Sequence, residues 1–152
     1  MSTLRWFPPG WDEGDPDEHQ AVIADYYGRH LPALTGAMSE SLRWLAQVAN
    51  LHDAQASELR RGDSEAELRL LVGDLQVGYQ WVTLQYADAT VEPALAETLL
   101  LGPYTEVLYD EVDREADGGW EHRLSLRPQG EVVIRFKDVQ VSRAPATSED
   151  RR

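Results

Sequence analysis

The chain has 152 residues, 42% of them hydrophobic, no cysteine and a formal net charge of −13. That length suits one domain with a real core, and the missing cysteine excludes disulfides and thiolate metal sites. The charge repels nucleic acid and anionic membrane surfaces; it suits a basic protein partner, and it also keeps a protein soluble. The first residues carry no basic start followed by an apolar run, and no apolar run reaches membrane-spanning length. A cytoplasmic location is the expectation.

Residues 1–14 read as an arm. Pro8-Pro9-Gly10 argues against helix, and Trp6, Phe7 and Trp11 predict that aromatic burial pins the arm to the body. Asp15-Pro16-Asp17-Glu18 then reads as a helix start. Asp15 can cap free N–H groups, Pro16 fits the first turn, and Asp17 and Glu18 suit the positive end of the dipole. Val22, Ile23, Tyr26, Tyr27, His30 and Leu31 make an apolar stripe. Pro32 predicts a kink or a fresh start, with a second helix over 33–48. Its stripe is Leu34, Met38, Leu42, Leu45 and Val48, with Trp44 alongside. Asn50 can take a left-handed position after it.

From Leu51 the pattern turns to strands. Leu68, Leu70 and Val72 share one face, and the parity switches after Gly73-Asp74, which favours a bulge over a tight turn. Gln80–Tyr86 is rich in β-formers, and alternation does not decide whether Trp81 or Val82 faces inward. Glu92-Pro93 opens a short helix to Leu101, and Tyr104–Asp113 is a strand. Trp120, His122, Leu124 and Leu126 alternate with charged or polar residues, as do Val132, Ile134 and Phe136 beyond Pro128-Gln129-Gly130. That predicts a β-hairpin with Leu126 facing Val132, Leu124 facing Ile134 and His122 facing Phe136. The apolar parity then shifts to Val139 and Val141, which a bulge near Lys137-Asp138 would explain. Residues 143–152 lack apolar anchors and read as a disordered tail.

The fold class is therefore α+β: two N-terminal helices packed on a five- or six-stranded, mostly antiparallel sheet. One domain spans residues 1–142, with the arm at 1–14, the helices at 15–49 and the sheet at 51–142. A paired edge strand could make a dimer, but nothing in the sequence requires one.

One aspartate stands out. Leu108 and Val112 should face the core, and alternation then places Asp110 inward between them, while the opposite choice buries Glu111 and Asp113. His122 shares the inner parity, and His52 and Asp53 stand where helix hands over to sheet. The expectation is that His52, Asp53, Asp110 and His122 converge in a polar pocket at one edge of the core. A buried carboxylate needs donors, so a structural network is the first reading. A metal held by those four residues is the second, and acid–base work by an Asp–His pair the third. No Ser or Cys sits in a nucleophile motif and no glycine-rich phosphate loop occurs, so no cofactor is expected. The other carboxylates, in runs near Asp12 and near Asp113, read as solvated surface, with Arg123 and Arg135 pairing across the outer face.

Several stretches resemble a group of small bacterial proteins of uncharacterised function, with a helical front half and a β-rich back half. They are Asn50-Leu51-His52-Asp53-Ala54, Gly78-Tyr79, Tyr109-Asp110-Glu111-Val112, Glu121-His122-Arg123-Leu124 and Gly130–Phe136. The resemblance covers about residues 31–141 and implies no activity and no catalytic residues. The Leu51-His52-Asp53-Ala54 opening is also similar to β-rich immunity proteins of bacterial toxin systems. The expectation is a non-enzymatic binding protein whose acidic surface contacts a basic partner. The alternative is a metal-assisted enzyme using His52, Asp53, Asp110 and His122.

Overall fold

A computed structural model describes residues 2–74, 76–92, 105–127 and 130–150. Asp15 caps α1 (Pro16–Asp25) by accepting the Asp17 N–H at 2.9 Å. The helix does not stop at Pro32. It passes through a π-helical turn (Tyr26–His30) into α2 (Leu31–Leu34) and closes in a 3-10 turn (Thr35–Ala37). The Leu31 N–H bonds back five residues to the Tyr26 carbonyl, and Pro32, which has no N–H to offer, follows this widened turn. The new start comes at Ser39, whose Oγ accepts the Leu42 N–H at 3.2 Å and opens α3 (Glu40–Arg43). A second π turn (Trp44–Val48) ends it. Tyr26, Leu31, Leu42 and Leu45 are buried as helical spacing predicts, whereas Val48 is exposed. Asn50 is not left-handed; its side chain accepts the His52 N–H, and Asp53 takes the left-handed backbone, at φ 65°.

Eight strands follow among the described residues: β1 (Gln55–Arg61), β2 (Glu65–Asp74), β3 (Gly78–Ala87), β4 (Thr90–Glu92), β5 (Glu106–Arg114), β6 (Trp120–Arg127), β7 (Glu131–Phe136) and β8 (Asp138–Ala146). The sheet is antiparallel, in the order β4-β7-β6-β5-β1-β2-β3-β8. It exceeds the five or six strands expected because two segments each bend into two strands. Ala87 pairs with Asp138; three residues on, Thr90 pairs with Arg135, three residues back. The register is unbroken across the bend. Both strands change buried parity there, from Tyr86 to Ala89 and from Phe136 to Val139. The bulge expected at Lys137-Asp138 is thus a corner shared by two strands, with Asp88 at φ 50°.

Because β3–β4 and β7–β8 are each one stretch of chain, the two ends of the sheet belong to one bent ladder. The sheet closes on itself. Ala56, Leu59 and Leu68 from β1 and β2 meet Val107, Leu124 and Ile134 across the enclosed core. Val82 points into it; Trp81 lies outside, with the Arg69 guanidinium 4.1 Å from its ring centroid.

The β6–β7 hairpin buries the expected face, but its register differs by two residues: Leu124 opposes Val132, His122 opposes Ile134 and Trp120 opposes Phe136. A two-residue slip returns every side chain to the same face, so alternation alone does not detect it. The turn residues Pro128 and Gln129, and the helix expected over 92–101 from Pro93 onward, lie outside the described residues. β8 continues through Arg143 to Ala146, paired with β3, in a segment expected to be tail. Ladder hydrogen bonds are made by backbone and need no apolar side chains.

The parity switch after Gly73 is a tight turn rather than a bulge, since Asp74 pairs with Gly78. Gly73 has φ +118°, and a Cβ there would stand 1.9 Å from the Gly78 carbonyl oxygen. We expect Gly73→Ala to cost more than about 1 kcal/mol in urea unfolding; a neutral effect would mean that the turn is built otherwise.

β5 is where the sheet needs help. β6 covers one edge, but β1 pairs only at its start, Gln55 with Glu106. The rest of that edge is satisfied by other groups. Asp53 N–H donates to Val107 O at 2.8 Å, and His52 Nδ1–H donates to Leu108 O. Val112 N–H donates to the Tyr26 hydroxyl at 2.6 Å, and His30 Nε2–H donates to Val112 O at 3.0 Å. The first helix and the His52 loop therefore close a strand edge that would otherwise bury unpaired backbone.

Candidate functional site: an aromatic pocket over Asp110

The register of β5 shifts between Val107 and Tyr109, so Leu108 is the extra residue of a bulge. Val107 and Val112 are both buried, and Leu108 is not in the core as expected. Asp110 pairs with Leu124 and Val112 with His122, which puts Asp110 and His122 on the inner parity. Asp110 Oδ2 accepts His122 Nε2–H at 2.7 Å. On the other side of the ring, Nδ1 lies 2.7 Å from the Tyr86 hydroxyl of β3. Carboxylate oxygens only accept, so Nε2 carries a proton, and Nδ1 is free to take the Tyr86 O–H. His122 is 0% exposed and Tyr86 1%. Burial first, and the Asp110 charge second, push the Tyr86 hydroxyl well above its usual range, so it stays a donor. Asp110 is the open end of this chain, with 18% of its side chain exposed.

The open end faces a pocket of ≈ 180 Å³. Phe7 and Trp11 from the arm, Ile23 and Tyr27 from α1 and the π turn, and His52 and Tyr109 line it. The rings brace one another: His52 stacks on Tyr109 at 4.9 Å, and Trp11 meets Tyr109 edge-on at 5.2 Å. The Tyr109 hydroxyl donates to Asp12 at 2.9 Å. His122 is the hydrogen-bond and ion-pair partner of Asp110 among the described residues, and Oδ1 has none. Burial and the Asp110 charge also raise Tyr26 and Tyr27 above the usual tyrosine range. The negative charge is thus felt on three sides.

The arm is held in place from the opposite face of β5–β7. Glu131 accepts from the Ser2 hydroxyl and from Thr3, and Glu111 accepts the Arg5 and Trp6 N–H groups. This corrects the expectation of a solvated outer face. Glu111 is 0% exposed, Arg123 2% and Asp113 9%. Arg123 donates to Asp113 at 2.9 Å and to Glu121 at 3.0 Å, with Glu111 3.7 Å from its Nη1. The charges pair as expected; the arm excludes water from them. Burial raises the Glu111 carboxyl, outweighing the Trp6 N–H, Arg123 and the Arg5 N–H. Burial pushes the Asp113 carboxyl up as well, but Arg123, the Arg114 N–H and His30 together hold it below the usual range.

Of the four expected site residues, Asp110 and His122 bond directly, and His52 shares the pocket with Asp110. Asp53 is turned away. It lies 3.6 Å from His52 Nε2 and lines the neighbouring cleft of ≈ 570 Å³ with Trp44, Tyr79 and Arg143. The four therefore form two pairs. Among the described residues, no group of three or more His, Cys, Asp or Glu side chains is placed to hold a metal. Tyr86, Phe7, Trp11, Tyr27 and Tyr109 were not identifiable as site residues, because aromatic residues on an arm, helix and strand read equally as core. No helix among the described residues is long and apolar enough to cross a membrane.

The closed, helix-braced antiparallel sheet and its Asp110 pocket define an α+β protein with one small acidic, aromatic-walled site. No family model, curated protein or solved structure matches the chain.

Proposed function

We propose that this is a non-catalytic binding protein for a basic partner, and that a cationic group of the partner enters the Asp110 pocket. One observation carries the reading: a carboxylate oxygen without a donor, at the base of an aromatic pocket, with no Arg or Lys paired to it among the described residues. Aromatic faces and a carboxylate both attract cations, and the net charge of −13 draws them in from a distance. A cytoplasmic, immunity-like bacterial protein contacting a basic toxin is the biological form this takes. The resemblance at Leu51–Ala54 supports it, and His52, the second residue of that stretch, is in the pocket wall.

Oligolysine titrated against the full chain by calorimetry tests the proposal. Asp110→Asn and Asp17→Asn remove the same charge, one in the pocket and one in an exposed helix turn. We expect Asp110→Asn to weaken binding by about tenfold and Asp17→Asn by less than about twofold. Equal losses would reduce the pocket to one more surface charge. No binding by the unaltered protein at low salt would remove the basic partner altogether.

A further inference from the structure

We propose that the Asp110 pocket selects a tertiary ammonium group, free or at the tip of an alkylated lysine side chain. This rests on the cation-binding reading above and adds the chemical class. Asp110 Oδ2 is committed to His122, while Oδ1 has no donor among the described residues. A cationic amine that satisfies it must bring an N–H. The walls are of the opposite kind. Phe7, Trp11, Tyr27 and Tyr109 line the pocket, and aromatic rings favour methyl groups on a charged nitrogen over a strongly hydrated –NH₃⁺.

The two demands have one best compromise. A quaternary ammonium suits the rings but leaves Oδ1 without a donor. A primary ammonium brings three N–H groups to one free oxygen, so two must be stripped of water without replacement. A tertiary ammonium carries one N–H for Oδ1 and three carbons for the aromatic walls. The volume of ≈ 180 Å³ lies below the range of drug-sized sites, which matches a small head group.

The probes are the chlorides of methylammonium, dimethylammonium, trimethylammonium and tetramethylammonium, with tert-butanol as a neutral shape control. Binding is read by amide chemical-shift titration of the full chain, with Asp110, Tyr109 and His52 as reporters. We expect affinity to rise from methylammonium to trimethylammonium, then fall by about tenfold for tetramethylammonium. Asp110→Asn should flatten that final step. A peptide with dimethyl-lysine, compared with unmodified and trimethyl-lysine peptides, separates the lysine source from the free amine.

Tetramethylammonium binding as well as trimethylammonium would overturn the tertiary preference and leave the cation reading standing. Oligolysine binding that depends on Asp110, without binding by any member of the amine series, would do the same. Equal affinity for tert-butanol and trimethylammonium would overturn both.

Discussion

Arg123→Met is expected to lower the unfolding free energy by about 3–5 kcal/mol, measured by urea denaturation at pH 7. The guanidinium is 2% exposed and is shared by Asp113, Glu121 and Glu111. Methionine fills much of its volume, so the loss is not mainly one of packing. What remains among the described residues is a buried carboxylate, Glu111, with the two backbone N–H donors of the arm, and Asp113 without its bond from Arg123. Such groups cost far more unpaired than the pair returns when formed.

The pH dependence is also determined. Glu111 is already raised by burial, and losing Arg123 raises it further. A carboxyl with a folded pKa above its unfolded value favours the folded state when protonated and loses that advantage as pH rises through the folded pKa. Asp113 acts in the parent with the opposite sign. Its lowered pKa contributes stability above the ordinary carboxylate range, which is lost as pH falls through the folded value. The Glu111 effect narrows the gap between variant and parent on acidification from pH 7 towards about 4, and the Asp113 effect continues the narrowing below that. A gap constant over that range, or a loss below about 1 kcal/mol at pH 7, would mean that the cluster is open to water. Arg123→Lys should fall between the two, because an ammonium keeps the charge and loses the fork that reaches two acids at once.

The second large effect is at His122. His122→Leu should cost about 2–5 kcal/mol, since it strands two polar groups at about 1–3 kcal/mol each. The Tyr86 hydroxyl loses its acceptor in a fully buried site, and Asp110 loses its donor. Tyr86→Phe should cost less, because it removes a hydroxyl and leaves only Nδ1 without a partner. In the double variant the stranded hydroxyl no longer exists. Its loss should therefore be smaller than the sum of the single losses by about 1 kcal/mol or more. Additivity within about 0.5 kcal/mol would show that Tyr86 and His122 do not interact.

The two sites are joined through the arm. Glu111 and Glu131 hold residues 2–6 against the outer face of β5–β7, and the same arm then delivers Phe7 and Trp11 to the pocket. The buried charge cluster therefore positions half of the aromatic wall.

Local physics accounts for what was legible in the chain. Asp15 and Ser39 cap helices because a short oxygen side chain reaches its own backbone N–H groups, so the Asp15 start could be read directly. The inner face of the β6–β7 hairpin follows from a period of two, and so does the inward placement of Asp110 and His122. Other features had a local trace with two meanings. Pro32 looked like a helix start, but the π turn before it absorbs the missing N–H. Parity switches at Gly73 and Lys137 suggested bulges, when one is a turn and the other a corner.

By itself, then, the sequence determined that helices come before an antiparallel sheet, the inner face of the β6–β7 hairpin and the inward placement of Asp110 and His122, because neighbouring residues set these through period and capping. Only the tertiary structure decided the ring closure of the sheet, the two-residue register and the burial of Arg123 beneath the arm. It also decided the meeting of Phe7, Tyr27 and Tyr109 above Asp110. Each depends on contacts between segments far apart in the chain, and no local pattern records which segment will cover a given face.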